Sequence, residues 1–126
     1  PVGVPAVVFT DPEVARVGIS EAEATEEGLD PVVGEFPLRA NGRSLTTDNE
    51  QGFIRLIADA DSGFVVGGEV VGPEASELIG EITLAVEMGA TLEDIAATIH
   101  VHPSLSEATM EAAEHAMGTA VHTAND

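Results

Sequence analysis

Gly52-Phe53-Ile54-Arg55-Leu56-Ile57-Ala58, then Asp59-Ala60-Asp61-Ser62-Gly63, then Phe64-Val65-Val66-Gly67-Gly68-Glu69-Val70-Val71 run consecutively. The outer runs read as strands, and the polar piece between them as a hairpin-type loop. A connection this short makes the strands antiparallel. Ile54, Leu56 and Ala58 alternate with Phe53, Arg55 and Ile57, so one face is wholly apolar and the other mixed. Gly67-Gly68 inside the second strand predicts a bulge or a close backbone approach.

Downstream of the hairpin, Pro73-Glu74 opens a long helix with Leu78, Ile79, Ile82, Ala85, Val86 and Met88 as its apolar stripe. Gly89 ends it. Thr91-Leu92-Glu93-Asp94 caps a second, short helix, and a last helix reaches about Gly118. Upstream, Ala6 to Phe9 is a short strand, Asp11-Pro12 breaks it, and Val14 to Ile19 is extended again. Ser20-Glu21-Ala22-Glu23 is a capping box for an acidic helix that stops at Gly28. Pro31 to Phe36 is a further strand. The stretch from Leu38 to Glu50 is least patterned; with Arg39, Arg43 and Asn41-Gly42 it reads as a solvated loop or as a face for an acidic partner. The expected fold is α+β: one domain over residues 1–126, a small antiparallel β-sheet with helices packed on one side.

The 126 residues are 44% hydrophobic, which is enough for a core, and Phe is the only aromatic type. Acidic residues number 23 against 4 basic ones, all arginine, for a net charge of −19. Such a surface repels nucleic acid and anionic membranes. The acids are spread along a well-patterned chain and form no tail, a composition resembling proteins of extreme halophiles. Molar salt screens charges beyond ~3 Å. There is no cysteine, hence no disulfide and no thiolate chemistry from this chain. No apolar run approaches a membrane span. The start, Pro1-Val2-Gly3-Val4-Pro5, reads as a cut inside a longer chain and lacks the basic region of a signal peptide.

Chemistry-bearing groups crowd at Ile99-His100-Val101-His102-Pro103-Ser104-Leu105-Ser106-Glu107. Pro103 pushes His102 out of the helical region, onto an extended elbow before a helix. Ser104 and Glu107 form a capping box. Glu107 either only closes the helix end or also hydrogen-bonds the His102 ring, fixing its tautomer and stabilising its imidazolium. His100 and His102, with Glu107, would also suit a metal, although no further His or Cys lies nearby in sequence. His115 and His122 read as surface or packing residues. On the last helix Leu105, Ala108, Thr109, Ala112 and Ala116 share one face, either internal core or a subunit seam.

His100-Val101-His102-Pro103-Ser104-Leu105-Ser106-Glu107 with Ala112-Ala113-Glu114-His115-Ala116 closely resembles the C-terminal signature of the dihydrolipoamide dehydrogenases, within the pyridine nucleotide-disulfide oxidoreductases. Val8-Phe9-Thr10-Asp11-Pro12-Glu13-Val14-Ala15, Val17-Gly18, Gly52-Phe53, Val71 to Ile79 and Glu93-Asp94-Ile95-Ala96 extend the likeness over nearly the whole chain. Glutathione and mercuric reductases share the domain with different C-terminal motifs. The resemblance implies a C-terminal dimerisation domain, with the FAD- and NAD-binding domains and the redox cysteines upstream. It implies that His102 is the acid–base catalyst and Glu107 its orienter, working in the partner subunit's active site. It further implies that His102 and Pro103 lie against the partner's flavin, across a cis peptide, and that no metal is bound. Ser104 stands where Thr is common, which keeps the capping hydroxyl. The implied protein is a cytoplasmic homodimer that oxidises dihydrolipoamide with FAD and NAD, its partner being the lipoyl domain of a 2-oxoacid dehydrogenase complex. The alternatives are a related flavin disulfide reductase with another substrate, or an acidic homodimerisation or binding module without chemistry.

Overall fold

The computed structural model describes residues 3–38, 52–98, 100 and 104–121, with side chains up to 118. Strands β1 (Ala6–Val8), β2 (Val14–Gly18), β3 (Pro31–Pro37), β4 (Phe53–Asp59) and β5 (Val65–Val71) build one sheet. Helices α1 (Glu21–Glu26), α2 (Ala75–Met88), α3 (Leu92–Ala97) and α4 (Glu107–Val121) complete the described residues. The sheet order is β1-β2-β5-β4-β3, and every pairing is antiparallel. The β4–β5 hairpin forms as its sequence predicts and lies inside the sheet, flanked by β2 and β3.

Its tip is tied by Asp59, which accepts from Asp30 N–H at 3.2 Å and from the Ser62 hydroxyl at 3.0 Å. The Asp30 bond is the main reason the Asp59 carboxyl is held below the usual carboxylate range. Both expectations for Gly67-Gly68 are realised. The register slips between Ile57 and Ala58, so Val66 bulges from β5. A Cβ on Gly67 would stand on Ile19 O, and one on Gly68 would stand 2.6 Å from Ile82 Cγ2.

The long helices α2 and α4 pack on the apolar face, α2 across β2 and β5, α4 across β3 and β4. Between helices and sheet lie Ala15, Val17, Val32, Ile54, Leu56, Val70, Ile79 and Ile82. Of the expected α2 stripe, Ile79, Ile82 and Ala85 are buried and Leu78 and Val86 partly so, while Met88, which falls off the buried face at ~100° per residue, is 72% exposed. Leu105, just before α4, and Ala108, Thr109, Ala112 and Ala116 on α4 are all buried. That stripe is therefore core, which settles the choice left open by its spacing.

The short helix α1 lies on the opposite face. From β2 the chain must cross the sheet to reach its far edge at β3. It turns over at Ile19, whose N–H donates to Val66 O at 3.0 Å. The Ser20–Glu23 capping box then starts α1 as expected, with bonds of 2.9 and 3.1 Å. Ala24 and Ile57 are buried there, apart from the main core. The rest of this face carries one ionic row: Glu35, Arg55, Glu69 and Arg16 are successive cross-strand partners on β3, β4, β5 and β2. Arg55 bridges Glu35 at 2.6 Å and Glu69 at 3.1 Å, and Arg16 pairs with Glu69. Cross-strand opposite charges each add roughly 0.2–1 kcal/mol, so the row sets register more than it holds the fold.

Candidate active-site segment

The segment between α3 and α4 is held on both flanks. The Thr91–Asp94 capping box starts α3, with bonds of 2.9 and 3.1 Å. The helix ends at Thr98, whose backbone is extended at φ −72 and ψ 132. Two residues on, the His100 ring is fixed from both sides. Nδ1 lies 2.8 Å from Thr98 O, and Nε2 lies 2.7 Å from Glu81 Oε2 on α2. The His100 side chain is only 6% exposed.

On the far flank, Ser104 N–H donates to Glu107 Oε1 at 3.1 Å, the glutamate half of the expected capping box. The Ser104 and Ser106 hydroxyls meet at 2.9 Å. Glu107, Ala108 and Thr109 N–H donate to the carbonyls of Ser104, Leu105 and Ser106, a 3₁₀-type entry into α4. Glu107 in this first turn also complements the positive end of the helix dipole. The capping contact is thus real. It uses one lone pair of a carboxylate that has about four, so a further bond to an imidazole is compatible with it.

His102 and Pro103 lie outside the described residues, as do His122, Arg39 and Arg43. The His102–Pro103 peptide, expected to be cis, lies there too; among the described residues the cis peptide is Asp11–Pro12. His115, expected to be surface or packing, has a specific job: its Nδ1 accepts the Glu35 N–H at 3.0 Å and joins α4 to β3. Among the described residues no three His, Cys, Asp or Glu side chains converge as a metal site, and the His100 ring is already engaged by Glu81 and Thr98.

Two features escaped the sequence. Glu81 is an acid on a helix with many acids, and nothing in its spacing links it to His100. Gly34 reads as a weak strand residue, yet a Cβ there would stand on Ala112 O and 2.5 Å from Ala116 Cβ. Its lack of a side chain is what lets α4 lie on β3.

Further along α4, Glu111 is raised above the ordinary carboxylate range, first by partial burial, then by Glu114 and by the charge of Glu107. In the window between its ordinary and raised values the folded state holds the proton more tightly than the unfolded one. Stability therefore falls as pH rises through that window. Glu111→Gln is expected to raise the melting temperature at neutral pH, with the gain vanishing below the ordinary carboxylate range. Thermal melts of both proteins across that pH span test this; an equal gain at acid pH would show a different cause.

The chain matches the family described as pyridine nucleotide-disulphide oxidoreductase, dimerisation domain, over residues 4–113. The chain belongs to this family. Among curated relatives, the dihydrolipoyl dehydrogenase of Halobacterium salinarum is 64% identical over 122 residues, 97% of this chain and 26% of that protein. The dihydrolipoyl dehydrogenase of Haloferax volcanii is 63% identical with the same coverage. That of Bacillus subtilis is 53% identical over 95% of this chain. This chain thus spans about a quarter of the length of those relatives, 26% in each case. Among solved structures, LpdA from Mycobacterium tuberculosis superposes with a TM-score of 0.84 at 38% identity, over 90% of this chain and 25% of that one. The HOCl-induced flavoprotein disulfide reductase RclA of Escherichia coli gives 0.83 at 27%, over 88% and 26%. The α+β sheet with its helices is the fold of these dimerisation domains, and the acid-rich composition accords with relatives from halophilic archaea.

Proposed function

We propose that this chain is the C-terminal dimerisation domain, residues 1–126, of a cytoplasmic dihydrolipoamide dehydrogenase, and that it supplies His102 and Glu107 to the active site of the partner subunit. The observation that carries this reading is the doubly held segment His100–Glu107 on a domain whose relatives, up to 64% identical, are dihydrolipoyl dehydrogenases. The chain has no cysteine and no Gly-x-Gly-x-x-Gly turn, so its residues fit neither a redox disulfide nor a dinucleotide cradle. FAD, NAD and the cysteines belong to the remainder of the protein, with His102 and Pro103 resting against the partner's flavin. Among the described residues no helix is long and apolar enough to cross a membrane.

The net reaction converts dihydrolipoamide and NAD⁺ to lipoamide, NADH and a proton. The attacking species in disulfide exchange is a thiolate. His102 takes the proton from a dihydrolipoamide thiol, the S–H bond breaks, and the sulfur attacks the enzyme disulfide. Electrons leave the substrate as a pair and reach NAD⁺ through flavin chemistry supplied elsewhere in the protein. Glu107 orients the imidazole and stabilises its protonated form. The natural substrate is the lipoyl domain of a 2-oxoacid dehydrogenase complex. The protein is a homodimer through this domain, for which the last helix and the exposed sheet face are the expected surfaces; the small-residue face of the last helix is instead internal.

The test is anaerobic mixing of the full-length protein with dihydrolipoamide, followed by NAD⁺. Loss of oxidised-flavin absorbance and then NADH formation are expected, from a particle of dimeric mass by light scattering. An unchanged flavin spectrum would leave a dimerisation module without this chemistry; an active monomer would sink the shared site.

A further inference from the structure

His100 has no part in the proton transfer just described, yet two residues before His102 in sequence its ring is held at both nitrogens. Its ring meets an oxygen at each nitrogen, Thr98 O at 2.8 Å and Glu81 Oε2 at 2.7 Å. The first contact closes a loop of the chain onto itself just after α3. The second ties that loop to α2, which is packed rigidly on β2 and β5 through Ile79 and Ile82. Both partners are acceptors, so the ring is held by donating N–H, and rotation breaks that bond at a side chain that is only 6% exposed. In sequence His102 is two residues from His100 and two from Ser104, where Glu107 makes the other anchor, so both anchors flank it closely along the chain.

We propose that His100, clamped by Glu81, is a positioning residue that anchors the chain two residues before His102 and so sets where the catalytic imidazole stands. This rests on the reading of His102 as acid–base catalyst. It explains a histidine where spacing alone suggested a metal ligand. It also explains an acidic residue on the α2 face beside an apolar groove, where Leu84, Ala85 and Ile95 are its neighbours. The effect should fall on turnover and leave substrate capture alone, because a catalytic group misplaced by ~1 Å loses up to ~10²-fold in rate while remote binding contacts persist.

The experiment uses the full-length holoenzyme with His100→Ala, Glu81→Ala, the double variant, His100→Gln and, as reference, His102→Gln. His100→Ala and Glu81→Ala should each lower kcat for dihydrolipoamide about tenfold or more with KM nearly unchanged. The double variant should be no slower than either single one, because one interaction is lost once. His100→Gln, whose amide nitrogen reaches towards Glu81, should recover part of the rate. NADH oxidation by ferricyanide, which needs no thiol proton, should be unaffected in all of them. Glu81 is 30% exposed, so its truncation leaves a foldable protein even where His100→Ala does not. Normal kcat in Glu81→Ala and His100→Ala beside a crippled His102→Gln would overturn the proposal alone. Full activity of His102→Gln would overturn it together with the reading on which it rests. A parallel loss of ferricyanide activity would show a general structural defect and would also overturn it.

Discussion

Gly34→Ala is expected to destabilise the protein by about 3 kcal/mol or more, at or beyond the top of the range for overpacked sites. The backbone at Gly34 is ordinary strand, so alanine loses nothing in conformation there and the effect reports packing alone. The added methyl would stand on Ala112 O and 2.5 Å from Ala116 Cβ. Neither obstacle is a flexible side-chain end; one is helix backbone and the other is a methyl fixed to it. Relief requires α4 to lift off β3, which opens the core around Val32, Ala108 and Ala113. For a domain near this size 1 kcal/mol is worth ~4–8 °C in melting temperature, so a loss on the order of 12 °C is expected. Gly80→Ala is the control: it lies within α2 and nothing approaches its missing Cβ within 4 Å. That substitution should stabilise by roughly 0.5–1 kcal/mol. Denaturant melts of both variants at fixed high salt decide the matter. An unperturbed Gly34→Ala protein would mean that α4 does not rest on β3 as described.

Gly34 also marks where the sequence stops speaking. The hairpin from Phe53 to Val71, the capping boxes at Ser20 and Thr91, and the end of α2 at Gly89 are local: each is a pattern of neighbours, and each appears where the pattern puts it. The sheet order and the crossing of the chain at Ile19 are not local. They depend on which strand meets β5 on its second side, and no period in the chain records that. The same holds for the small-residue face of α4. Its spacing said that something approaches closely, but only the complementary gap at Gly34, 78 residues before Ala112, says that the visitor is β3. In the candidate site, the local half was legible: Glu107 accepting from Ser104 N–H is the glutamate half of the expected capping box. The clamp of His100 by Glu81 joins a residue just past α3 to one on α2, 19 positions earlier, so only the fold brings it into view.

His102→Gln is expected to slow reduction of the flavin by dihydrolipoamide by ~10²–10⁴-fold, the usual worth of a positioned general base. Glutamine keeps a polar amide of similar reach but cannot take up a proton, so the substrate thiol must ionise unaided. Because the same group returns the proton when the reaction runs backwards, lipoamide reduction by NADH should fall by a like factor. Ferricyanide reduction by NADH should persist, and so should the dimer. Retention of full activity with dihydrolipoamide would remove His102 from the mechanism. Glu107→Gln separates the two roles of the neighbouring carboxylate. A glutamine oxygen still accepts from Ser104 N–H, since capping boxes take either residue. The helix start should then be preserved and the melting temperature nearly unchanged, while the negative charge that favours an imidazolium is gone. The pH dependence of kcat should shift to lower pH on its basic-group limb, because a histidine without its carboxylate holds the proton less tightly. A destabilised protein with an unmoved pH profile would return Glu107 to the single role of closing the helix.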